Sequence, residues 1–343
     1  MLVVRKARLS DVEQLLKLSI AAGPGMTTMP NDYDSWMEKL NRSKRDFSKP
    51  AEKPNGDVYF LVLEDTDKKL VVGSASVYPG IGLDRPFYTY KVSKITKSSK
   101  ELDVTVHSRL LTLVNDYSGS TELGSLFVLP EYRRNGIGKF LSRSRLMLIA
   151  DFPERFDKQV FAEFRGWLTD EGESPFWEGF TSKFFPVTFQ HADFVSAVEG
   201  SQFIADLMPK HPVYLDILPQ EAQDAVGKAN NEAIGAVKIL EKEGFQYTGY
   251  VDIFDAGPCV QTSIDQLATV KNSRVLQVEN IVSDKEIDTA GGAKHIISNS
   301  KLDDYSIVCT SIETLSDDKV TISRPTADSL NLTKGDLVRC AEL

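Results

Sequence analysis

The stretch from Thr121 to Ala150 constrains the fold more than any other part of the chain. Leu123 to Leu129 is a nearly continuous apolar run, stopped by Pro130. A run of that length bounded by a breaker predicts a buried strand. It passes through Glu131-Tyr132-Arg133-Arg134-Asn135-Gly136-Ile137-Gly138 directly into a helix carrying Phe140, Leu141, Leu146, Met147 and Ile149. The pattern R-x-x-G-x-G thus sits at a strand-to-helix junction, where its chemistry suits a pyrophosphate. Glycines let the backbone approach closely. The N–H groups of a first helical turn have no partners inside the helix, and the helix dipole favours an anion there. Arg133, Arg134 and Lys139 add cationic donors for phosphate oxygens. The bland alternative is a surface turn with glycine for tightness and arginine for solubility. The strand–proline–loop–helix context favours phosphate binding.

Composition sets the class around this loop. The chain has 343 residues, more than one core usually absorbs, so two or three units are expected. A formal net charge of -9 argues against a nucleic-acid surface, which needs clustered cations. Cys259, Cys309 and Cys340 form no C-x-x-C pair, which points to a reducing compartment without disulfides or structural zinc. No apolar run approaches the roughly 20 residues of a spanning helix. The start, MLVVRKARLSDVEQLLKL, lacks a signal peptide's apolar core. A cytoplasmic enzyme is expected, with no nucleic-acid or membrane partner, no metal and no permanently bound cofactor.

Along the chain, a strand at Val3 to Ala7 and a helix capped by Ser10-Asp11 precede a glycine- and proline-rich loop. A polar helix follows to about Phe47. Strand patterns recur at Val58 to Leu63, Leu70 to Tyr78, Phe87 to Val92 and Leu102 to Val114. Gln159 to Leu168 reads as another strand, and Ser174-Pro175 opens a helix. Further on, Phe203 to Met208 is strand-like, while Gln220 to Lys228 and Ala233 to Glu243 are helical, the latter stopped by Gly244. Short β-rich runs follow from Ser273. This reads as an α/β (α+β) chain: a mixed sheet flanked by helices over 1–190, a second and smaller unit over 191–264 completing the site, and a small C-terminal β appendage over 265–343.

The loop resembles that of the GNAT superfamily of acyl-CoA-dependent N-acyltransferases. The Rossmann fingerprint competes, but its G-x-G-x-x-G and later acidic residue are missing. Within the superfamily the chain resembles the arginine N-succinyltransferase family. The matching phrases are Gly25-Met26-Thr27-Thr28-Met29-Pro30, Glu122-Leu123-Gly124-Ser125-Leu126-Phe127, Gly172-Glu173-Ser174-Pro175-Phe176-Trp177, Ala205-Asp206-Leu207-Met208-Pro209-Lys210-His211-Pro212, Gln220-Glu221-Ala222-Gln223 and Tyr250-Val251-Asp252-Ile253-Phe254-Asp255-Ala256-Gly257-Pro258. The resemblance implies a GNAT-type sheet, a degenerate second GNAT-like unit, and succinyl transfer from succinyl-CoA to the α-amine of arginine or ornithine. It implies succinyl-CoA as co-substrate, a basic amino acid as acceptor, and a homo- or hetero-oligomer. Leu126 matches a strand residue whose backbone contacts succinyl-CoA. Asn230 stands where the family has a proposed acid histidine. A carboxamide cannot exchange a proton at neutral pH, so Asn230 could orient a group but not act as general acid. Two alternatives stand beside this reading: a GNAT enzyme with another donor or acceptor, and a non-catalytic partner subunit of a succinyltransferase.

The candidate residues follow. Leu126, Phe127 and Val128 could offer a backbone N–H to an oxyanion where their strand splays from its neighbour. Arg133, Arg134, Asn135, Gly136, Ile137, Gly138 and Lys139 form the phosphate loop. His211, held between Pro209 and Pro212, is the surviving histidine nearest in sequence to the family's functional region. Glu163 and Arg165 alternate with apolar residues as a wall of the cleft, and Asp252 flanks another strand end. Thr27 and Thr28 could line the acceptor site, or merely cap the next segment. Arg165 and Lys210 are the expected cations for the distal carboxylate of the succinyl group.

Overall fold

The computed structural model describes residues 1–343 apart from 24, 25, 27, 51, 52, 199–201, 288–292 and 317. Strand β1 (Leu2–Lys6) carries Arg5, whose guanidinium pairs with Asp11 at 2.8 Å and fixes the turn into helix α1 (Val12–Ala22). Leu15, Leu18 and Ala22 recur at helical spacing along its buried face. In α2 (Tyr33–Ser48), the Asp32 carboxylate caps the first turn by accepting from Ser35 N at 2.7 Å. Strands β2 (Tyr59–Asp65) and β3 (Leu70–Pro79) form a hairpin, as do β4 (Thr89–Ser99) and β5 (Val104–Val114). Then come β6 (Thr121–Val128), α3 (Ile137–Asp151) and β7 (Gln159–Glu163). The expected strand to Leu168 stops at Glu163, because Phe164 N turns to the Pro258 carbonyl and Gly166 N to the Asp255 carboxylate.

The next stretch holds α4 (Pro175–Gly179), α5 (Phe189–Val198), α6 (Gln202–Leu207), the short β8 (Val213–Tyr214), α7 (Gln220–Ala225), α8 (Ile234–Lys242), β9 (Gln246–Val251) and β10 (Pro258–Ser263). Helix α6 corrects the strand expected at Phe203 to Met208. Ile204 and Met208, four residues apart, are both buried in one aromatic-rich cluster, a helical rather than an alternating pattern. After α9 (Ala268–Asn272) the chain forms β11 (Arg274–Val282), β12 (His295–Ser298), β13 (Ser306–Thr310), β14 (Glu313–Ser316), β15 (Lys319–Ser323), α10 (Arg324–Leu330) and β16 (Leu337–Glu342).

All described strands belong to one mixed sheet in the order β14-β15-β11-β16-β12-β13-β1-β2-β3-β6-β7-β10-β9-β4-β5-β8. Pairing therefore crosses each boundary expected from the sequence: β7 pairs with β10, and β1 pairs with β13 through Val3↔Val308. Alternation along the strands sends residues to two faces. Phe60, Val62, Tyr78 and Phe127 pack with α1 and α2, whereas Leu61, Leu63, Leu123 and Val160 pack with α3 and α8. A mixed sheet flanked by helices, with strands continuing in the C-terminal region, is the architecture that the alternating strand and helix patterns imply.

Candidate active site

Two irregularities in β6 open the site. Against β3 the register shifts between Ser74↔Phe127 and Ser76↔Gly124, leaving an extra residue in β6, and Ser125 there adopts φ +52°. This bulge is pinned: Ser125 Oγ lies 2.9 Å from Tyr78 Oη, and the Ser125 carbonyl accepts from Ser74 Oγ at 2.9 Å. On its other side β6 pairs with β7, in parallel, only at Thr121↔Val160 and Glu122↔Phe161. Beyond those pairs the two strands part.

The cleft between and around them has a volume of about 880 Å³. Its rim holds Leu126 to Val128 and the whole loop from Arg133 to Lys139. Asn135 (φ +53°) and Gly136 (φ +76°) turn the loop into α3, whose N-terminus has no side-chain cap. A Cβ built at Gly138 would meet no protein atom within 4 Å, so the space over the first turn is open. Arg133 is held in place by donating from Nε to the Val128 carbonyl (2.9 Å) and by stacking over Phe127. Open N–H groups, a dipole end and nearby cations give this end the chemistry to hold an anion.

The other end is acidic. Glu122, the last residue of the β6–β7 ladder, is 7% exposed and lines the cleft, and its carboxyl has no hydrogen-bond partner among the described residues. Burial pushes its carboxyl up to about 7, with Lys39 pulling the other way. Burial also raises Glu163 well above the carboxylate range, and the charges of Asp252 and Glu122 raise it further. Glu163 accepts from Cys259 Sγ at 3.3 Å. Asp252 and Asp255 complete the cluster, both shifted upward by burial, while the backbone holds them in place. Asp252 accepts from the N–H of Phe254 and Asp255, and Asp255 accepts from those of Gly166 and Gly257. Carboxylates crowded in one buried cleft hold one another toward the neutral form, a tension that a cation among them would relieve.

The structure thus brings together Leu126 to Val128, the loop, Thr28, Glu163, Arg165 and Asp252 around one cleft. Thr27 lies outside the described residues. Arg165 contributes to the rim, with its guanidinium 3.7 Å from Glu232 and donating to the Ala22 carbonyl (3.3 Å); Glu232 also lies 3.6 Å from Arg133. His211 and Lys210 are exposed on the segment before β8 and do not line the cleft. Asn230 is tied to the rim by donating its N–H to the Arg165 carbonyl (2.8 Å), while its Oδ1 accepts from Glu232 N (2.9 Å) as a cap. Glu122 and Arg145 also line the cleft, and the sequence reading missed both. A lone acid in the apolar strand 121–128 was the available signal for Glu122.

A family model described as arginine N-succinyltransferase beta subunit matches residues 2–269, and its C-terminal domain model matches 274–342. The chain belongs to this family. An arginine N-succinyltransferase of Photorhabdus laumondii is 36% identical over 100% of this chain and 98% of its own length. One from Escherichia coli O6:K15:H31 is 39% identical over 81% of this chain and 80% of its own. Among solved structures, arginine/ornithine succinyltransferase subunit AI from Pseudomonas aeruginosa superposes with a TM-score of 0.89 at 28% identity, covering 100% of this chain and 98% of that one. Within the arginine N-succinyltransferase family, this member carries at position 230 an amide engaged in capping a turn.

Proposed function

We propose that the protein transfers a succinyl group from succinyl-CoA to the α-amine of arginine, with ornithine as a second acceptor, by direct attack in a ternary complex. The observation that carries this reading is the single cleft at the β6–β7 fork, with an anion-binding loop at one end and buried carboxylates at the other. The loop end suits a CoA pyrophosphate. The carboxylate end suits the guanidinium or ammonium of a basic amino acid, through Glu163 and Asp252, and Thr28 lines the same cleft. Holding both substrates in one cleft removes the cost of a bimolecular encounter.

The attacking amine must lose a proton. Glu122, poised near neutrality in the fork, is suited to accept it. The departing CoA thiolate is a moderately good leaving group, so this route does not call for a general acid at position 230. Three free cysteines accord with a cytoplasmic setting. The test is release of free thiol from succinyl-CoA by the purified protein, scanned over arginine, ornithine and lysine. Release with arginine or ornithine is expected; no release with any basic amino acid refutes an enzymatic role and leaves a non-catalytic subunit.

A further inference from the structure

Helix α3 is buried at every position from Phe140 to Ala150, including two arginines that are satisfied very differently. Arg143 pairs with Glu243 at 2.9 Å and donates to Thr269 Oγ1. Arg145 is 1% exposed, and its donors reach only its own helix: Nε to the Ser142 carbonyl (3.2 Å) and Nη2 to Ser142 Oγ (2.9 Å). Its Nη1 has no hydrogen-bond partner, and no carboxylate pairs with it, among the described residues. Burial without a countercharge draws its pKa down to about 9. An isolated buried cation is costly to a fold. This one lines the cleft.

Its depth narrows the anion it can meet. Arg145 lies eight residues along α3 from Ile137, roughly 12 Å from the phosphate-loop end of the helix. Leu123 and Ala162, on the strands that α3 covers, line the cleft with it. Between its pyrophosphate and its thioester, CoA carries only neutral groups, two amides and a hydroxyl. Of the donor's groups, only a carboxylate on the acyl chain brings an anion to this depth.

We propose that Arg145 binds the terminal carboxylate of a dicarboxylic acyl group, so that the cleft prefers succinyl-CoA to a donor of equal length ending in methyl. This rests on the reading that the cleft binds an acyl-CoA. It replaces the cations expected from the sequence, since Arg165 already faces Glu232 and Lys210 lies outside the cleft.

The experiment compares binding of succinyl-CoA, butyryl-CoA and free CoA to the parent and to Arg145→Met, without acceptor, alongside thermal melts. The parent should favour succinyl-CoA over butyryl-CoA by roughly 10–100-fold, the worth of a hydrogen bond to a charged group. Arg145→Met should bring that ratio to about one, keep the affinity for free CoA, and melt no lower than the parent because it removes an unpaired charge. Arg145→Lys should keep part of the preference. An unchanged ratio, or an equal loss for all three ligands with a lowered melting temperature, overturns the proposal and makes Arg145 structural. In a parallel turnover assay of the same variants, a defect confined to KM for arginine, with the donor ratio intact, assigns the carboxylate to the acceptor and also overturns it. A parent that binds no CoA thioester overturns the functional reading itself, an outcome visible before any variant is made.

Discussion

Glu122 shows how one residue ties stability to chemistry. Its carboxyl is raised, so folding favours its protonated form. Its contribution to stability is full below the ordinary carboxylate range and is lost as pH rises through about 7. Glu122→Gln should therefore stabilise the protein at pH 8, by up to about 3 kcal/mol, with the gain vanishing near pH 4 in urea titrations. The same substitution should lower kcat by ~10²–10⁴-fold and flatten a kcat/KM profile that in the parent rises with pH through about 7. A parental profile that is flat between pH 6 and 8 would remove Glu122 from the proton path. Asn230 behaves differently because its side chain is spent on a cap. Asn230→Ala should cost about 1 kcal/mol of stability while kcat keeps its order of magnitude.

At the scale of the element, the loop and the first turn of α3 separate ligand effects from folding effects. Gly136 sits at φ +76°, so Gly136→Val adds backbone strain of roughly 1–2 kcal/mol as well as a side chain over the helix end. Gly138 lies in ordinary helical backbone with open space around it. Gly138→Ala should leave the melting temperature equal or slightly raised, since alanine suits a helix better than glycine. It should nevertheless weaken CoA binding in calorimetry, because the added methyl occupies the space left for the pyrophosphate. Undiminished CoA affinity in both variants would show that the ligand's phosphates lie elsewhere.

At the scale of the whole molecule, the C-terminal strands are bound to the helix that carries the site. Asp151, at the end of α3, has a side chain 1% exposed and accepts hydrogen bonds from Ser298, Ser300, Tyr305 and Arg339. Arg143 binds Glu243 at the end of α8 as well as Thr269 in α9. Removing one partner of a buried charge leaves the other uncompensated. Arg339→Ala should destabilise the protein by about 3 kcal/mol, the lower end for such losses because three hydroxyl donors remain on Asp151. A loss below 1 kcal/mol in denaturant unfolding would mean that water replaces the guanidinium freely.

The turn from Pro130 into α3 was legible in the sequence because everything it needs is local. An apolar strand, a proline, two arginines and two glycines within a few residues set the backbone turn and leave the amides of a helix start open. Strands such as β2 and β3 were legible for the same reason, since alternation and turn residues are short-range signals. Helix α6 was misread because its few apolar residues fit either period, and only its packing against the aromatic cluster chose one. The acidic end of the cleft could not be read at all as a unit. Glu122, Glu163, Asp252 and Asp255 come from separate segments, and their raised carboxyls exist only because tertiary packing excludes water and sets the charges side by side. Arg145 was hidden by the same cause. By itself a helix with arginines two residues apart offers a solvent face for them. The strands and helices packed around α3 bury that face, and so decide that this guanidinium looks into the cleft and not into water.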